Sequence, residues 1–336
     1  MTKLFASLIL STSVILAAGR ADWIITSKWV VTMDAQRRVI QNGAVAVTGN
    51  TITAVGPRAE IEKQFTARNR LDRPNSALIP GLVNTHTHAA MSLFLGIADD
   101  MVLQDWLDKF IFPAEARNVD AEFLRWGTRL AALEMLLSGT TTFCDMYYFE
   151  EVVGAVAKEA GMGGVLGQTI IGFPVPDAST AEAALKRTEA FFLQYAADPL
   201  VTPAVAPHGL YTNSDTTLKA ARNLATRYRK PLLIHLSETR RENDDSVARR
   251  GISPTRALDA LGIFTGGPVV AAHGVWLDDG DIAILKERAV GVGHCPASNM
   301  KIASGVAPVV KMLLAAGLAV GLGTDGAAGS NKSQSP

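Results

Sequence analysis

The sequence predicts an α/β chain built as a (β/α)8 barrel of the TIM type, preceded by a small N-terminal β-sandwich domain and expected to be truncated in its C-terminal part. Three observations predict it. From Ala77 onward a short β-rich or apolar run, a turn and a longer amphipathic stretch recur eight times. Polar residues collect at the ends of those runs, as active sites at the C-terminal face of a barrel require. Between Trp23 and about Asn69 the pattern is instead one of short alternating runs separated by glycine turns.

The elements follow in chain order. Lys3 precedes an apolar run from Leu4 to Ala18 that ends among the small residues Ala17, Ala18, Gly19 and Ala21. This is the pattern of a secretory signal peptide, expected over residues 1–21. With that signal the protein is expected in the periplasm or outside the cell; a misassigned start or a buried N-terminal strand would leave it cytoplasmic. Residues 22–76 are expected to form the β domain, with hairpin strands at Ile24-Ile25, Val30-Val31-Thr32, Ala44–Val47 and Ile52–Val55 and turns at Gly43, Gly49-Asn50 and Gly56-Pro57.

Residues 77–336 are assigned to the barrel. Its strands are expected at Leu78–Asn84, Thr140–Met146, Gly164–Ile171, Thr202–Pro207, Leu232–Leu236, Val269–His273, Ala289–His294 and Leu318–Thr324. The helix over Phe123–Leu137 carries Leu130, Leu133, Met135 and Leu136 on one side, and Ala181–Tyr195 is similar, so both are expected to pack the barrel's outside through those stripes. An open doubly wound sheet would offer a glycine-rich phosphate loop after its first strand, and Pro80-Gly81-Leu82-Val83-Asn84-Thr85-His86 is not one.

Composition narrows the function. The 336 residues hold 32 Lys and Arg against 32 Asp and Glu, a balance that offers no electrostatic footprint for nucleic acid or an anionic membrane. A small neutral substrate fits better. After the N-terminal run every apolar stretch is broken well short of the ~20 residues a membrane span needs. Cys144 and Cys295 form no C-x-x-C pair and indicate neither a disulfide framework nor a thiolate zinc site. Nothing in the sequence decides the oligomeric state, and a homo-oligomer stays open.

The residues that carry chemistry lie at strand ends. His86 and His88 are two apart on the first barrel strand, and the period-2 alternation puts both imidazoles on one face, where they can chelate a metal. An H-x-H pair alone is a weak signal, because hydrogen-bonded structural histidines give it equally well. Here His235 ends the fifth strand, His273 the sixth, and Asp325 follows the eighth, which brings four histidines and a carboxylate to one rim. Neutral imidazoles and a carboxylate suit zinc and tolerate iron.

At these residues the chain resembles the amidohydrolase superfamily: Pro-Gly-Leu-Val-Asn-Thr-His-Thr-His (80–88), His-Leu-Ser-Glu (235–238), Ala-Ala-His-Gly (271–274), His-Cys-Pro-Ala-Ser-Asn (294–299) and Gly-Thr-Asp-Gly-Ala (323–327) look like its motif series. The segments Ile97–Asp100, Asp105-Trp106-Leu107, Pro113-Ala114-Glu115 and Asp145–Phe149 resemble the 5′-methylthioadenosine/S-adenosylhomocysteine deaminase (chlorohydrolase-like) branch. The resemblance implies one divalent metal, zinc by expectation with iron the other option, held by His86, His88, His235 and Asp325 with a water completing the shell. His273 would hold that water by a hydrogen bond. No lysine ends a barrel strand to bridge a second metal. The reaction implied is hydrolytic deamination of an adenine nucleoside such as 5′-methylthioadenosine, S-adenosylhomocysteine or adenosine, with release of ammonia. Glu238 is assigned as proton shuttle to a ring nitrogen and Asp325 as the base that takes the water's proton.

Further roles rest on the same resemblance. Glu115 matches a glutamate that binds ribose hydroxyls, although a helix-entry carboxylate explains it too. His208, in Ala-Pro-His-Gly, matches a substrate-contacting histidine; for it and for His294 a structural role is an equal reading. Gln168 stands where some members carry an arginine for an amino-acid carboxylate, which a neutral amide cannot replace, so 5′-methylthioadenosine or adenosine is expected over S-adenosylhomocysteine. The chain stops soon after the eighth strand, where relatives continue, so one flank of that strand and a sheet edge of the β domain are expected to be uncovered. The alternatives are the same site acting on another aminated heterocycle or cyclic amide (guanine, cytosine, triazine), and an inactive metal-binding fragment.

Overall fold

The computed structural model describes residues 18–98, 101–312, 316–330 and 334. Of the expected signal over residues 1–21, all but the last four residues lie outside this set. The chain divides into two compact units, Met1–Pro80 and Gly81–Pro336.

In the first unit β1 (Gly19–Val31), β2 (Val39–Thr48), β3 (Thr51–Pro57) and β4 (Phe65–Leu78) form one sheet in the order β3-β2-β1-β4. Both hairpins are antiparallel, but the turn expected at Gly43 is not there: residues 32–38 join β1 to β2, and Gly43 lies within β2 opposite Ser27 and Pro57; Gly49 takes a φ of 58° at the expected tight turn between β2 and β3, which suits a residue without a side chain. The helix Arg58–Gln64 then carries the chain back so that β4 runs parallel to β1, and it buries Ile61 against Ile24, Ala44 and Ala46. β4 extends to Leu78, where the first barrel strand was expected to begin. The sequence of β4 is rich in Arg, Asp and Asn, so it carries no apolar run that a pattern reading can find. At its other end β1 begins at Gly19, inside the range expected for the signal, with Gly19, Arg20 and Ala21 in register with Phe65, Thr66 and Ala67.

In the second unit eight parallel strands follow one another around a barrel: β5 (Leu82–Thr87), β6 (Thr140–Tyr147), β7 (Gly163–Ile170), β8 (Val201–Pro207), β9 (Leu232–Leu236), β10 (Val269–His273), β11 (Gly291–His294) and β12 (Val320–Leu322). The ring closes at its C-terminal mouth, where Thr87 bridges Asp325 in parallel and the N–H groups of Thr324 and Asp325 both donate to the His86 carbonyl, at 3.1 and 3.0 Å. The first strand therefore runs through His86 to Thr87 instead of stopping before the histidines, with His88 directly after it, and closure itself brings Asp325 to their side.

The helix Ala121–Leu137 corrects an expectation. Asp120 caps it, accepting from the N–H groups of Glu122 and Phe123. Of the four residues expected to face the barrel only Met135 does; Leu130, Leu133 and Leu136 are 39%, 55% and 43% exposed. The buried side is Leu124, Gly127, Thr128, Ala131, Ala132 and Met135. Both faces have apolar residues at helical period, so periodicity cannot choose between them. Size decides, because the small face admits a close backbone approach: a Cβ on Gly127 would lie 2.3 Å from the Ala90 carbonyl oxygen.

Candidate metal centre and active-site cavity

Strand alternation at the end of β5 turns His86 and His88 to the barrel axis and Thr87 outward. Thr87 Oγ1 donates to the Cys144 carbonyl at 2.9 Å and to Asp145 Oδ1 at 2.5 Å, and the same Oδ1 accepts the Ala89 N–H at 2.6 Å. Asp145 thus pins the backbone on both sides of His88. Behind it lies the Glu150 carboxyl, and Asp145 Oδ2 and Glu150 Oε2 are buried with no other partner. Burial raises both acids, Glu150 the more strongly because it also faces the Asp145 charge. A single proton held between them satisfies both oxygens.

The imidazoles of His86, His88 and His235 converge. Ring centroids of His86 lie 4.9 Å from those of both His88 and His235, and those of His88 and His235 are 5.4 Å apart. Each outer nitrogen has a fixed task. His88 Nδ1 donates to the Met146 carbonyl at 2.6 Å and His235 Nδ1 to the His208 carbonyl at 2.7 Å. Both Nε2 atoms are left as lone pairs, and they face each other at 3.3 Å. Asp325 Oδ1 is 3.4 Å from His86 Nε2 and 3.3 Å from His88 Nε2, and His86 Nε2 is buried without a hydrogen-bond partner. Lone pairs packed this closely repel unless a cation lies among them, so the donor set fits a divalent metal. His86, His88 and Asp325 offer ligand atoms that all lie within 4.8 Å of one another, as do those of His86, His235 and His273.

The electrostatics follow from burial and from Asp325. Burial holds His86 down to about 4 and His208 to about 3, with neighbouring imidazoles adding to the effect, and it drives His235 well below its ordinary value. His88 differs: burial lowers it too, but the Asp325 carboxylate with help from Asp145 prevails and lifts it to about 9. Burial would raise Asp325, yet the imidazoles of His86 and His88 against its carboxylate hold it well below the usual carboxylate range. A proton on His88 and a metal cation compete for the same lone pair. Ser237, His273 and Asp325, each at or just past the end of a strand, take positive φ values of 48°, 73° and 61°, a costly conformation for residues with a Cβ that the surrounding hydrogen bonds impose.

A cavity of about 580 Å³, counting the part open to solvent, stands over these rings. His208 and Tyr211 line one side, Trp106, Leu107 and Phe112 another, and Glu238 faces in beside His273, whose Nε2 is 3.7 Å from Glu238 Oε1. Burial raises the Glu238 carboxyl; His273 opposes this and Asp325 adds to it. Glu115 also lines the cavity, with Tyr147 OH donating to Oε1 at 2.6 Å and Tyr148 OH to Oε2 at 3.1 Å. Burial lifts Glu115 to about 7 despite both hydroxyls.

The structure brings His86, His88, His235, His273, Asp325, Glu238, Glu115 and His208 to one place. Two sequence candidates lie elsewhere. His294 is half-buried at the end of β11 and is not among the residues lining the cavity. Gln168 is fully buried behind the barrel wall, donating to Asp177 Oδ2 at 2.8 Å and accepting from the Glu150 N–H at 3.4 Å. It faces away from the cavity on its strand, where Thr169 faces in, so the expectation that it selects against an amino-acid carboxylate is withdrawn. Sequence reasoning missed Ser298 and Asn299, which grip Asp325 Oδ2 at 2.5 Å and His273 Nδ1 at 2.9 Å, and Glu242 beneath Glu238. Their signal was the Ser-Asn of the 294–299 motif and the Thr-x-x-Glu spacing of Thr239 and Glu242.

Comparison with known proteins agrees with this geometry. Residues 77–335 match the Amidohydrolase family, and residues 43–67 match the imidazolonepropionase-like composite domain of bacteria. The chain is 47% identical over 310 residues to the 5-methylthioadenosine/S-adenosylhomocysteine deaminase 1 of Syntrophus aciditrophicus, covering 92% of this chain and 70% of that one. It is 45% identical over 316 residues to the 5-methylthioadenosine/S-adenosylhomocysteine deaminase of Syntrophobacter fumaroxidans, covering 94% and 72%. The crystal structure of an adenosine deaminase from Xanthomonas campestris with bound zinc matches with a TM-score of 0.91 and 38% identity over 95% of this chain and 72% of that one. A guanine deaminase from C. acetobutylicum shares the fold, with a TM-score of 0.80 and 24% identity over 93% of this chain and 76% of that one. This chain belongs to the amidohydrolase family.

Proposed function

We propose that the protein is a zinc-dependent aminohydrolase that removes the amine from an adenine nucleoside, 5′-methylthioadenosine, S-adenosylhomocysteine or adenosine, and releases ammonia. The observation that carries this reading is the placement of Glu238 and Glu115 in one cavity with the histidine cluster. The names of relatives at 47% and 45% identity support the substrate class. His86, His88, His235 and Asp325 would hold the ion, and the zinc in the 38% identical structure supports its identity.

When bound, the ion supplies the Lewis acidity that makes water a nucleophile near neutral pH. Glu238, kept protonated more readily by its burial, delivers a proton to a ring nitrogen and so makes the amine-bearing carbon electrophilic. Asp325 accepts the proton that the attacking water loses. His273 presents Nε2 as an acceptor, because its Nδ1–H is committed to Asn299. The C–O bond forms at that carbon, Asp325 passes the water's proton to the amine, and the C–N bond breaks to release ammonia; the ring nitrogen keeps the proton that Glu238 gave, and the remaining hydroxyl proton returns to Glu238 as the C=O bond forms. Glu115, between two tyrosine hydroxyls, is placed to accept from sugar hydroxyls.

The test is ammonia release from 5′-methylthioadenosine, adenosine, S-adenosylhomocysteine and guanine by purified, zinc-supplemented protein, beside His88→Ala and a metal assay. Turnover of at least one adenine nucleoside that disappears in His88→Ala is expected. Bound zinc with turnover of guanine alone, or of nothing, overturns the substrate reading.

A further inference from the structure

Glu242 stands one helical turn beyond Glu238 and has no place in the chemistry above. Its position is unusual for its surroundings. The helix Arg240–Arg250 is otherwise a charged, solvent-facing segment, and of its residues only Glu242 and Ser246 are buried. A carboxylate is an expensive group to bury without partners. Its partners are backbone: Glu242 Oε1 accepts the Ser237 N–H at 3.1 Å and Oε2 accepts the Glu238 N–H at 2.8 Å.

Thr239 and Glu242 have the spacing of a capping box, and the first half is present, with Thr239 Oγ1 accepting the Glu242 N–H at 3.1 Å. In a capping box the glutamate would return to the N–H of the cap residue itself. Here it reaches past Thr239 to the two residues before it. Those two N–H groups point the same way because Ser237 is held at a φ of 48°, and successive N–H groups in that geometry form a concave anion site. The other side of the turn is tied as well, since the Ser237 carbonyl accepts from both Val275, at 3.0 Å, and Trp276, at 2.9 Å. Glu242 itself does not line the cavity; it borders two grooves outside it.

We propose that Glu242 is a positioning residue: its carboxylate clamps the consecutive N–H groups of Ser237 and Glu238, holds the left-handed turn at Ser237, and so aims the Glu238 side chain at the cavity. The inference rests on the reading of Glu238 as the proton-transferring group. The clamp needs two acceptor oxygens. A glutamine supplies one and sets an NH2 group against the other N–H, whereas an alanine supplies none.

The experiment compares wild type, Glu242→Gln and Glu242→Ala in three measurements: amide hydrogen exchange of peptides spanning residues 232–240, zinc content, and steady-state kinetics on the best substrate. Exchange at Ser237 and Glu238 is expected to accelerate in both variants while peptides of β5 and β6 stay as in wild type. kcat is expected to fall about 10-fold in Glu242→Gln and about 100-fold in Glu242→Ala, the scale of a misplaced acid, with zinc content and KM within about 2-fold of wild type. Unchanged exchange at residues 237 and 238 overturns the clamp. Faster exchange with full kcat, or a kcat loss that tracks zinc loss, overturns the positioning role. If Glu242→Ala does not fold, Glu242→Gln carries the same comparison. Wild type without nucleoside turnover sinks the proposed function, and the exchange measurement still decides the clamp.

Discussion

His273 Nδ1 lies 2.9 Å from Asn299 Oδ1, and this one hydrogen bond determines which face His273 shows the cavity. With the amide oxygen accepting, the proton sits on Nδ1 and Nε2 is a bare acceptor, 3.7 Å from Glu238 Oε1. Asn299 is followed through its backbone to Ser298, so one short helix, Pro296–Lys301, holds both His273 and Asp325.

Replacing Asn299 with alanine removes the acceptor and leaves a buried N–H unpaired. Stability should fall by about 1–3 kcal/mol, read as a lower denaturant midpoint. The functional effect is larger than that fold loss implies, because the imidazole is free to present the wrong tautomer. kcat should drop about 10–100-fold with zinc content unchanged. Full kcat in the folded variant would show that the tautomer is set by something else.

Ser298→Ala acts on the other partner. Ser298 Oγ donates to Asp325 Oδ2 while the Gly326 N–H donates to Oδ1 at 2.8 Å. Losing the hydroxyl loosens a carboxylate that is placed to bind metal, and zinc affinity should weaken about 10-fold, measured by competition with a chromogenic chelator. Removing zinc from wild type with a stronger chelator should abolish turnover and lower the melting temperature, and both should return when zinc is added.

How far these features were legible depends on what kind of contact makes them. His86, His88, His235, His273 and Asp325 could be read because each ends a strand, and strand ends are visible as the edges of apolar runs. Asn299 and Glu242 stood in visible patterns, but their roles could not be read from them, because their partners are set by where a turn meets a neighbouring strand. Tyr147 and Tyr148 stood inside a recognised segment, yet their contact with Glu115 spans more than thirty residues and depends on the rise of helix Phe112–Asn118 beside β6. The barrel's strands were legible for the same reason as the histidines. Gln168 was given its role by the resemblance alone, whereas strand alternation turns it to the wall behind the cavity and Thr169 to the cavity itself.

Glu115 makes stability depend on pH. Burial raises its carboxyl from 4.5 to about 7 in the folded chain, so the folded state binds the proton more tightly than the unfolded state does. The stabilisation is fully present below about pH 4.5 and is lost as pH rises through about 7. Glu115→Gln resembles the protonated acid, can accept from one tyrosine hydroxyl and donate to the other, and does not ionise. In the metal-free protein the variant should match wild type at pH 5 and exceed it at pH 8 by about 1–3 kcal/mol. Equal stability of the two proteins at pH 8 would place the carboxylate in a wetter site than its 4% exposure indicates.

The close approach at Gly127 links the outer helix to the metal site. Helix Ala121–Leu137 rests on the short helical segment Ala89–Phe94, which begins immediately after His88. Ser92 Oγ donates to the Gly127 carbonyl at 2.7 Å, and an added Cβ at Gly127 would meet the Ala90 carbonyl oxygen at 2.3 Å and its Cα at 2.8 Å. These are backbone atoms that cannot step aside, so Gly127→Ala must push the segment and His88 with it, whatever helix propensity gains. The variant should lose about 1–3 kcal/mol from overpacking and bind zinc more weakly than wild type in the same chelator competition. Leu133→Ala, on the exposed face of the same helix, should leave both quantities nearly unchanged, since its side chain is 55% exposed. Loss of stability in Gly127→Ala with full zinc affinity would show that the helix supports the barrel without holding His88 in place.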